Sequence, residues 1–196
     1  MSDFLRQKAD EIIAALQQMP EVKSCTVYGS LANGRQDALS DIDIEIDVSG
    51  CDNGRFMLAL PQRLREHFTV CYSDFAPSLV PEKYIVSVAL DAKNPFLIAD
   101  LNCHAEPNCS TVTRQQVNDA NDRFSHTLKL WTINLKHFVR GTDCRADILR
   151  MARKTGVTEG DERTMLEAVL CWLEKNAGKE QCAFVAVCRK RFGKLT

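Results

Sequence analysis

Cysteine pairs at metal or disulfide spacing are missing from this chain. Its nine cysteines, Cys25, Cys51, Cys71, Cys103, Cys109, Cys144, Cys171, Cys182 and Cys188, are odd in number and include no C-x-x-C. That excludes a zinc ribbon and offers no disulfide framework, so the thiols are expected to be reduced and mostly packed as small apolar groups. Cys103, His104 and Cys109 form one cluster, and with no fourth ligand in reach it too reads as packing. No apolar run approaches the roughly 18 residues a membrane span requires. The opening MSDFLRQKADE is charged and amphipathic and lacks a secretory signal pattern. The expectation is a cytoplasmic protein with no membrane partner.

A net charge of any size is also missing, with 25 Lys and Arg against 26 Asp and Glu. That balance hides an asymmetry: residues 1–110 carry 9 basic and 16 acidic side chains, and residues 111–196 carry 16 and 10. An acidic half and a basic half can face one charged ligand, or the later helices can simply show Lys and Arg to water. With 196 residues, 45% hydrophobic and 26% charged, the composition is that of an ordinary globular protein, one domain plus an appended element.

What is present is concentrated in residues 29–48, GSLANGRQDALSDIDIEIDV. From residue 41 the acids Asp41, Asp43, Glu45 and Asp47 alternate with Ile42, Ile44, Ile46 and Val48. A strand sends alternate side chains to opposite faces, so four β-branched residues enter a core while four carboxylates line the other side. Residues i and i+2 lie about 6.6 Å apart along such a face, and two Asp side chains can lean towards one hard cation such as Mg²⁺. Without a cation, neighbouring carboxylates oppose each other's ionisation. A solvated outer face of an edge strand would show the same alternation. Before the acids, Gly29 allows close backbone approach, and Ser30 is placed to cap a short helix over residues 31–33, whose free N–H groups suit a phosphate.

Around this stretch the periodicities predict a helix from Phe4 to Leu16, with Ser2 or Asp3 as N-cap and Pro20 as the stop. Strands are predicted over residues 22–28, 41–48, 68–75, 84–90 and 96–103, the last two as a hairpin, with a helix over 55–68 that contains Pro61. Asp100 is a lone carboxylate in the apolar strand FLIADLNC. An acid there is paired, metal-bound or at a solvent-facing strand end, which makes it the natural third ligand beside Asp41 and Asp43. From residue 113 onward the pattern is helical. One long helix is predicted through Val117, Phe124, Trp131 and Phe138, and three more over 143–155, 161–177 and 180–192. They form an antiparallel bundle with Trp131 and Trp172 in its core.

G-S-x10-D-x-D in strand-turn-strand context, followed by a lone acid on a later strand, resembles the DNA polymerase β-like nucleotidyltransferase superfamily. GSLANGRQDALSDIDIEI is most similar to its small-molecule branch, which includes aminoglycoside, lincosamide and minimal nucleotidyltransferases. The resemblance spans roughly residues 22–103. It implies an α/β (α+β) nucleotidyltransferase fold, a mixed sheet flanked by helices, over residues 1–110, with the helical bundle over 111–196. It also implies two Mg²⁺ ions on Asp41, Asp43 and Asp100, and a nucleoside triphosphate, ATP by preference, against Gly29 and Ser30. A hydroxyl of a small molecule would accept the nucleotide, and some relatives complete the acceptor pocket across a homodimer. Many relatives carry Arg or Lys where this chain has Leu31 and Asn33, so Arg35 is the nearest cation for the phosphates. Glu45 replaces an apolar or small residue and is a secondary candidate for orienting a base or pairing with a substrate cation. The single basic segment RKRFGK, at a sequence pI near 6.4, falls short of a nucleic-acid-binding stripe. A catalytically silent nucleotide-binding module and nucleotidylation of a protein hydroxyl are the alternatives.

Overall fold

A computed structural model describes residues 2–195, with side chains from Phe4, so the N-cap expected at Ser2 or Asp3 lies outside the described side chains. The chain forms two compact units. One holds the residues up to Asp91 with Phe96–Asn121, and the other holds Ala92–Pro95 with the residues from Asp122. This division falls after residue 121, past the 110/111 boundary expected from the sequence.

The first unit runs α1 (Ser2–Leu16), β1 (Ser24–Tyr28), α2 (Gly29–Ala32), β2 (Ile42–Asp47), α3 (Asn53–Leu64), β3 (Tyr72–Phe75), β4 (Ile85–Ala89), β5 (Ile98–His104) and α4 (Arg114–Asp119). Its strands make one mixed sheet in the order β1-β2-β5-β4-β3. β2 and β5 are parallel and the other pairs antiparallel, so the predicted pairing of the last two strands is present. Each strand is shorter than its β-forming run. β3, for example, starts at Tyr72 and not at residue 68, because the N–H groups of His67 and Phe68 still bond back to the Leu64 carbonyl at the end of α3.

The alternation of β2 is realised residue by residue. Ile42, Ile44 and Ile46 are fully buried, while Asp43, Glu45 and Asp47 are half-buried on the opposite face. Leu101, Cys103, Val86 and Val88 extend the apolar face, and α1 and α3 cover it with Ala9, Ile12, Leu16, Phe56, Met57 and Leu60. Each buried Ile contributes about 1.5–3 kcal/mol, which fixes the register, since a one-residue slip would put the acids into this core. β2 lies between β1 and β5 and is not an edge strand.

The long helix predicted from Val117 to Phe138 is two helices. Asn121 interrupts it by donating from Nδ2 to the Phe75 carbonyl at 3.0 Å and accepting at Oδ1 from the Phe75 N–H at 2.7 Å. Its amide thus stands in for a neighbouring strand at the edge of β3. Asp122 then caps the next helix by accepting from the Ser125 N–H at 2.8 Å. Periodicity carries across the break because both pieces present apolar residues in phase.

The second unit contains α5 (Arg123–Val139), α6 (Arg145–Lys154), α7 (Glu162–Asn176) and α8 (Lys179–Leu195). α7 packs against the other three. Trp131 is fully buried and donates from Nε1 to the Leu166 carbonyl at 2.9 Å. Trp172 is only half-buried and carries the Arg123 guanidinium 5.1 Å above its ring. No helix among the described residues is long and apolar enough to cross a membrane. Replacing Asn121 by Ala leaves the Phe75 backbone groups unpaired, and urea denaturation should show a loss of about 1–3 kcal/mol.

Candidate active site

One row of paired residues crosses the whole sheet and is polar throughout. Tyr28 on β1 faces Asp43 on β2, Asp43 faces Asp100 on β5, Asp100 faces Ser87 on β4, and Ser87 faces Asp74 on β3. Directly paired residues share a face and touch. Asp43 and Asp100, 57 positions apart in the sequence, therefore stand on adjacent strands about 4.8 Å apart at the backbone. The Ser87 hydroxyl donates a short hydrogen bond to Asp100 Oδ1 and is itself buried, which holds one edge of that carboxylate.

Gly29 follows β1 directly and opens α2 at φ +69°, and a Cβ built on it would lie 2.1 Å from Asp43 Oδ2. The Asp43 carboxylate thus fills the space where any other residue would carry a side chain, so glycine is demanded by both conformation and volume. Ser30 is the second residue of α2 and not its cap, since Tyr28 occupies the N-cap position. Leu31 is buried in the core. Asn33 closes the turn, donating from Nδ2 to the Gly29 carbonyl at 2.8 Å. Arg35 is exposed, and its N–H returns to the Ser30 carbonyl at 2.9 Å, which keeps its backbone beside the Gly-Ser turn.

Asp41 sits one residue before β2 and is half-buried. The turn that delivers it is set by Asp37, whose Oδ1 accepts from the Leu39 N–H and the Ser40 hydroxyl at 2.9 Å each. Ser40 in the SDID run therefore has a local architectural role. Asp47 also stabilises a turn by accepting from the Ser49 N–H at 2.8 Å, and the hydrogen bonds from Ser49 hold its carboxyl below the ordinary range. Glu45 lies one pairing further along the acidic face, opposite Asn102, whose Nδ2 approaches its Oε2 at 3.4 Å. His104 Nε2 is 3.5 Å from Glu45 Oε1.

Tyr28 was not marked by any motif. Burial, and then the charges of Asp43, Asp100 and Glu45, push its phenol from 10.0 to about 12. A hydroxyl so placed stays protonated and is a hydrogen-bond donor within an otherwise acceptor-rich face. The signal for it lay in position alone, because it is the last residue of β1 immediately before Gly29.

Among the described residues no three His, Cys, Asp or Glu side chains are gathered as a ready-made metal cage. The donors along the polar row are nonetheless all hard oxygens. Mg²⁺ keeps several waters and takes one or two carboxylates plus substrate phosphates, so it does not require such a cage. The Asp43 carboxylate against a side-chain-free Gly29, with Asp100 beside it, fits that coordination habit.

Residues 10–75 match the family model for polymerase beta, nucleotidyltransferase. No curated protein matches the chain. Among solved structures, that of the Cid1 poly(U) polymerase is similar at 18% identity and a TM-score of 0.36, over 76% of this chain and 38% of that one. The GLD-2/RNP-8 complex is similar at 16% identity and a TM-score of 0.39, over 93% of this chain and 62% of that one. The chain thus spans less than two thirds of either.

Gly29→Ala should cost about 1–2 kcal/mol through the positive φ alone and displace Asp43 as well. Ser30→Ala should stay within about 0.5 kcal/mol, and urea midpoints compare the two. For Tyr28 the raised phenol adds stability that is complete below pH 10 and lost as pH rises towards about 12. Unfolding measured across that window should therefore decline more steeply for the natural chain than for Tyr28→Phe.

Proposed function

We propose that this chain is a nucleotidyltransferase of the polymerase β type and transfers a nucleoside monophosphate from a nucleoside triphosphate to the hydroxyl of a small molecule. The observation that carries the reading is the Asp43 carboxylate seated against Gly29 with Asp100 as its direct neighbour. Gly29, Asp43 and Asp100 meet on one sheet face, and Asp41 stands one residue before the same strand.

Asp41, Asp43 and Asp100 are the proposed holders of Mg²⁺, which supplies charge neutralisation on the phosphates and lowers the pKa of an oxygen bound to it. Gly29 leaves room for a phosphate to approach the turn, and Ser30 offers a hydroxyl and an N–H to it. Arg35, tied to Ser30 through its backbone, takes the place of the cations that Leu31 and Asn33 cannot supply. Tyr28 stays neutral and donates its O–H to a phosphate oxygen. Ser87 occupies Asp100 Oδ1, which leaves Oδ2 to accept the proton of the attacking hydroxyl. The acceptor oxygen forms the new bond to the α-phosphorus, and pyrophosphate leaves with the electron pair of the broken bond.

The Asp41→Asn, Asp43→Asn double variant should keep its circular dichroism spectrum and lose turnover by roughly a thousandfold, a loss typical of removing transition-state charge stabilisation. Pyrophosphate release with Mg²⁺ and each triphosphate is the readout, run with panels of small hydroxyl compounds, an oligoribonucleotide and a protein lysate as acceptors. Undiminished release by the double variant would sink the assignment. Transfer confined to the oligonucleotide or the lysate would replace the small-molecule acceptor.

A further inference from the structure

Ser87 is the one polar residue of β4, whose sequence is IVSVA. The strand lies between β3 and β5, inside the sheet, and Ser87 is 1% exposed. Valine or isoleucine would suit such a position better, and a buried hydroxyl left without a partner costs about 1–3 kcal/mol. The hydroxyl is answered by Asp100, the residue it faces across the β4–β5 pair.

The bond runs from Ser87 to Asp100 Oδ1, because an ionised carboxylate only accepts and the hydroxyl must donate. Asp100 is half-buried, so solvent reaches its carboxylate while its Oδ1 is tied to a side chain that solvent does not reach. Ladders on both sides fix the Ser87 backbone, to Asp100 on β5 and to Asp74 on β3. Its neighbours Val86 and Val88 are fully buried in the core on the opposite face. The donor is therefore held in place before any ligand arrives.

The two common hard cations ask different things of a carboxylate. Mg²⁺ demands a near-ideal octahedron at about 2.0–2.1 Å, which the narrow bite of a chelating carboxylate distorts. Ca²⁺ takes roughly six to eight oxygens at about 2.3–2.6 Å and accepts a carboxylate through both of its oxygens. With Oδ1 held by Ser87, Asp100 meets a cation through Oδ2 alone. That suits Mg²⁺ and withholds the second oxygen that Ca²⁺ uses. Asp43 shows the same economy, since its Oδ2 is packed against the Gly29 α-carbon.

We propose that Ser87 is a positioning residue that sets cation selectivity at the candidate site: by holding Asp100 Oδ1 it makes Asp100 a one-oxygen ligand and favours Mg²⁺ over Ca²⁺. The proposal rests on the reading that Asp41, Asp43 and Asp100 hold a divalent cation. Ser87 touches neither cation nor substrate and acts through Asp100. Alanine at this position removes the donor and opens Oδ1 to a larger ion, whereas threonine keeps a hydroxyl on a β-branched side chain that fits the strand.

The test is Mn²⁺ binding to the full chain without triphosphate, followed by electron paramagnetic resonance, with Mg²⁺ and Ca²⁺ as competitors. The ratio of Ca²⁺ to Mg²⁺ affinity should rise roughly tenfold in Ser87→Ala, the scale of one hydrogen bond to a charged group. It should stay as in the natural chain in Ser87→Thr, and Ser87→Ala should no longer move it once Asp100→Asn is present. A merely structural role for Ser87 would lower the urea midpoint and leave the ratio where it was. An unchanged ratio in Ser87→Ala, an equal rise in Ser87→Thr, or a rise that persists with Asp100→Asn overturns the assignment. Mn²⁺ bound by the natural chain and lost in Asp43→Asn, with a ratio indifferent to Ser87→Ala, removes only the selectivity role. No Mn²⁺ binding by the natural chain, or binding undiminished in Asp43→Asn, removes the cation reading and the selectivity with it.

Discussion

The contact on which the candidate site depends is a carboxylate resting on an α-carbon. Asp43 Oδ2 occupies the position a Cβ would take on Gly29, and this single close approach joins the end of β1, the turn after it and the middle of the acidic face. It is possible because β1 and β2 pair antiparallel with Tyr28 opposite Asp43, so the residue after Tyr28 meets the carboxylate directly. The apolar face sets that register. With Ile42, Ile44 and Ile46 fully buried, the strand cannot slip without exposing its core residues and burying its acids.

The candidate site and the apolar core are thereby divided between the two faces of one sheet. The inner face is aliphatic and covered by α1 and α3, and its burial holds the strands in place. The outer face gathers Asp43, Asp100 and Glu45, whose charges add to burial in raising the Tyr28 phenol. Such a concentration of like charge weakens the fold unless a cation or donor-rich ligand answers it. The Ser87 bond to Asp100 and the Asn102 approach to Glu45 are the local answers within the first unit.

Charge reads differently at different scales. Counted by halves, the acidic residues concentrate before residue 111 and the basic ones after it. Locally the balance is set by neighbours: a cavity beside Glu45 is lined by the carboxylates of Glu45, Glu82 and Glu106 and by Lys83 and His104. A bulk count averages over the whole chain, whereas a ligand feels the groups nearest to it.

The sequence by itself determined the strand with two faces, the glycine turn ahead of it and the carboxylates Asp41 and Asp43, because side-chain alternation and glycine's conformational freedom are local properties. It also determined the helical character of the chain after residue 113, though not the break at Asn121, which depends on a backbone partner on β3 far away in sequence. Tertiary structure decided what pairing decides: that Asp100 stands beside Asp43, that Ser87 and Tyr28 belong to the same row, and that Ser30 lies within α2. It also assigned Asn33 to closing its turn and shaped an acidic cavity from segments that no motif connects. The cross-strand assignments rest on register, which does not exist until the strands have met.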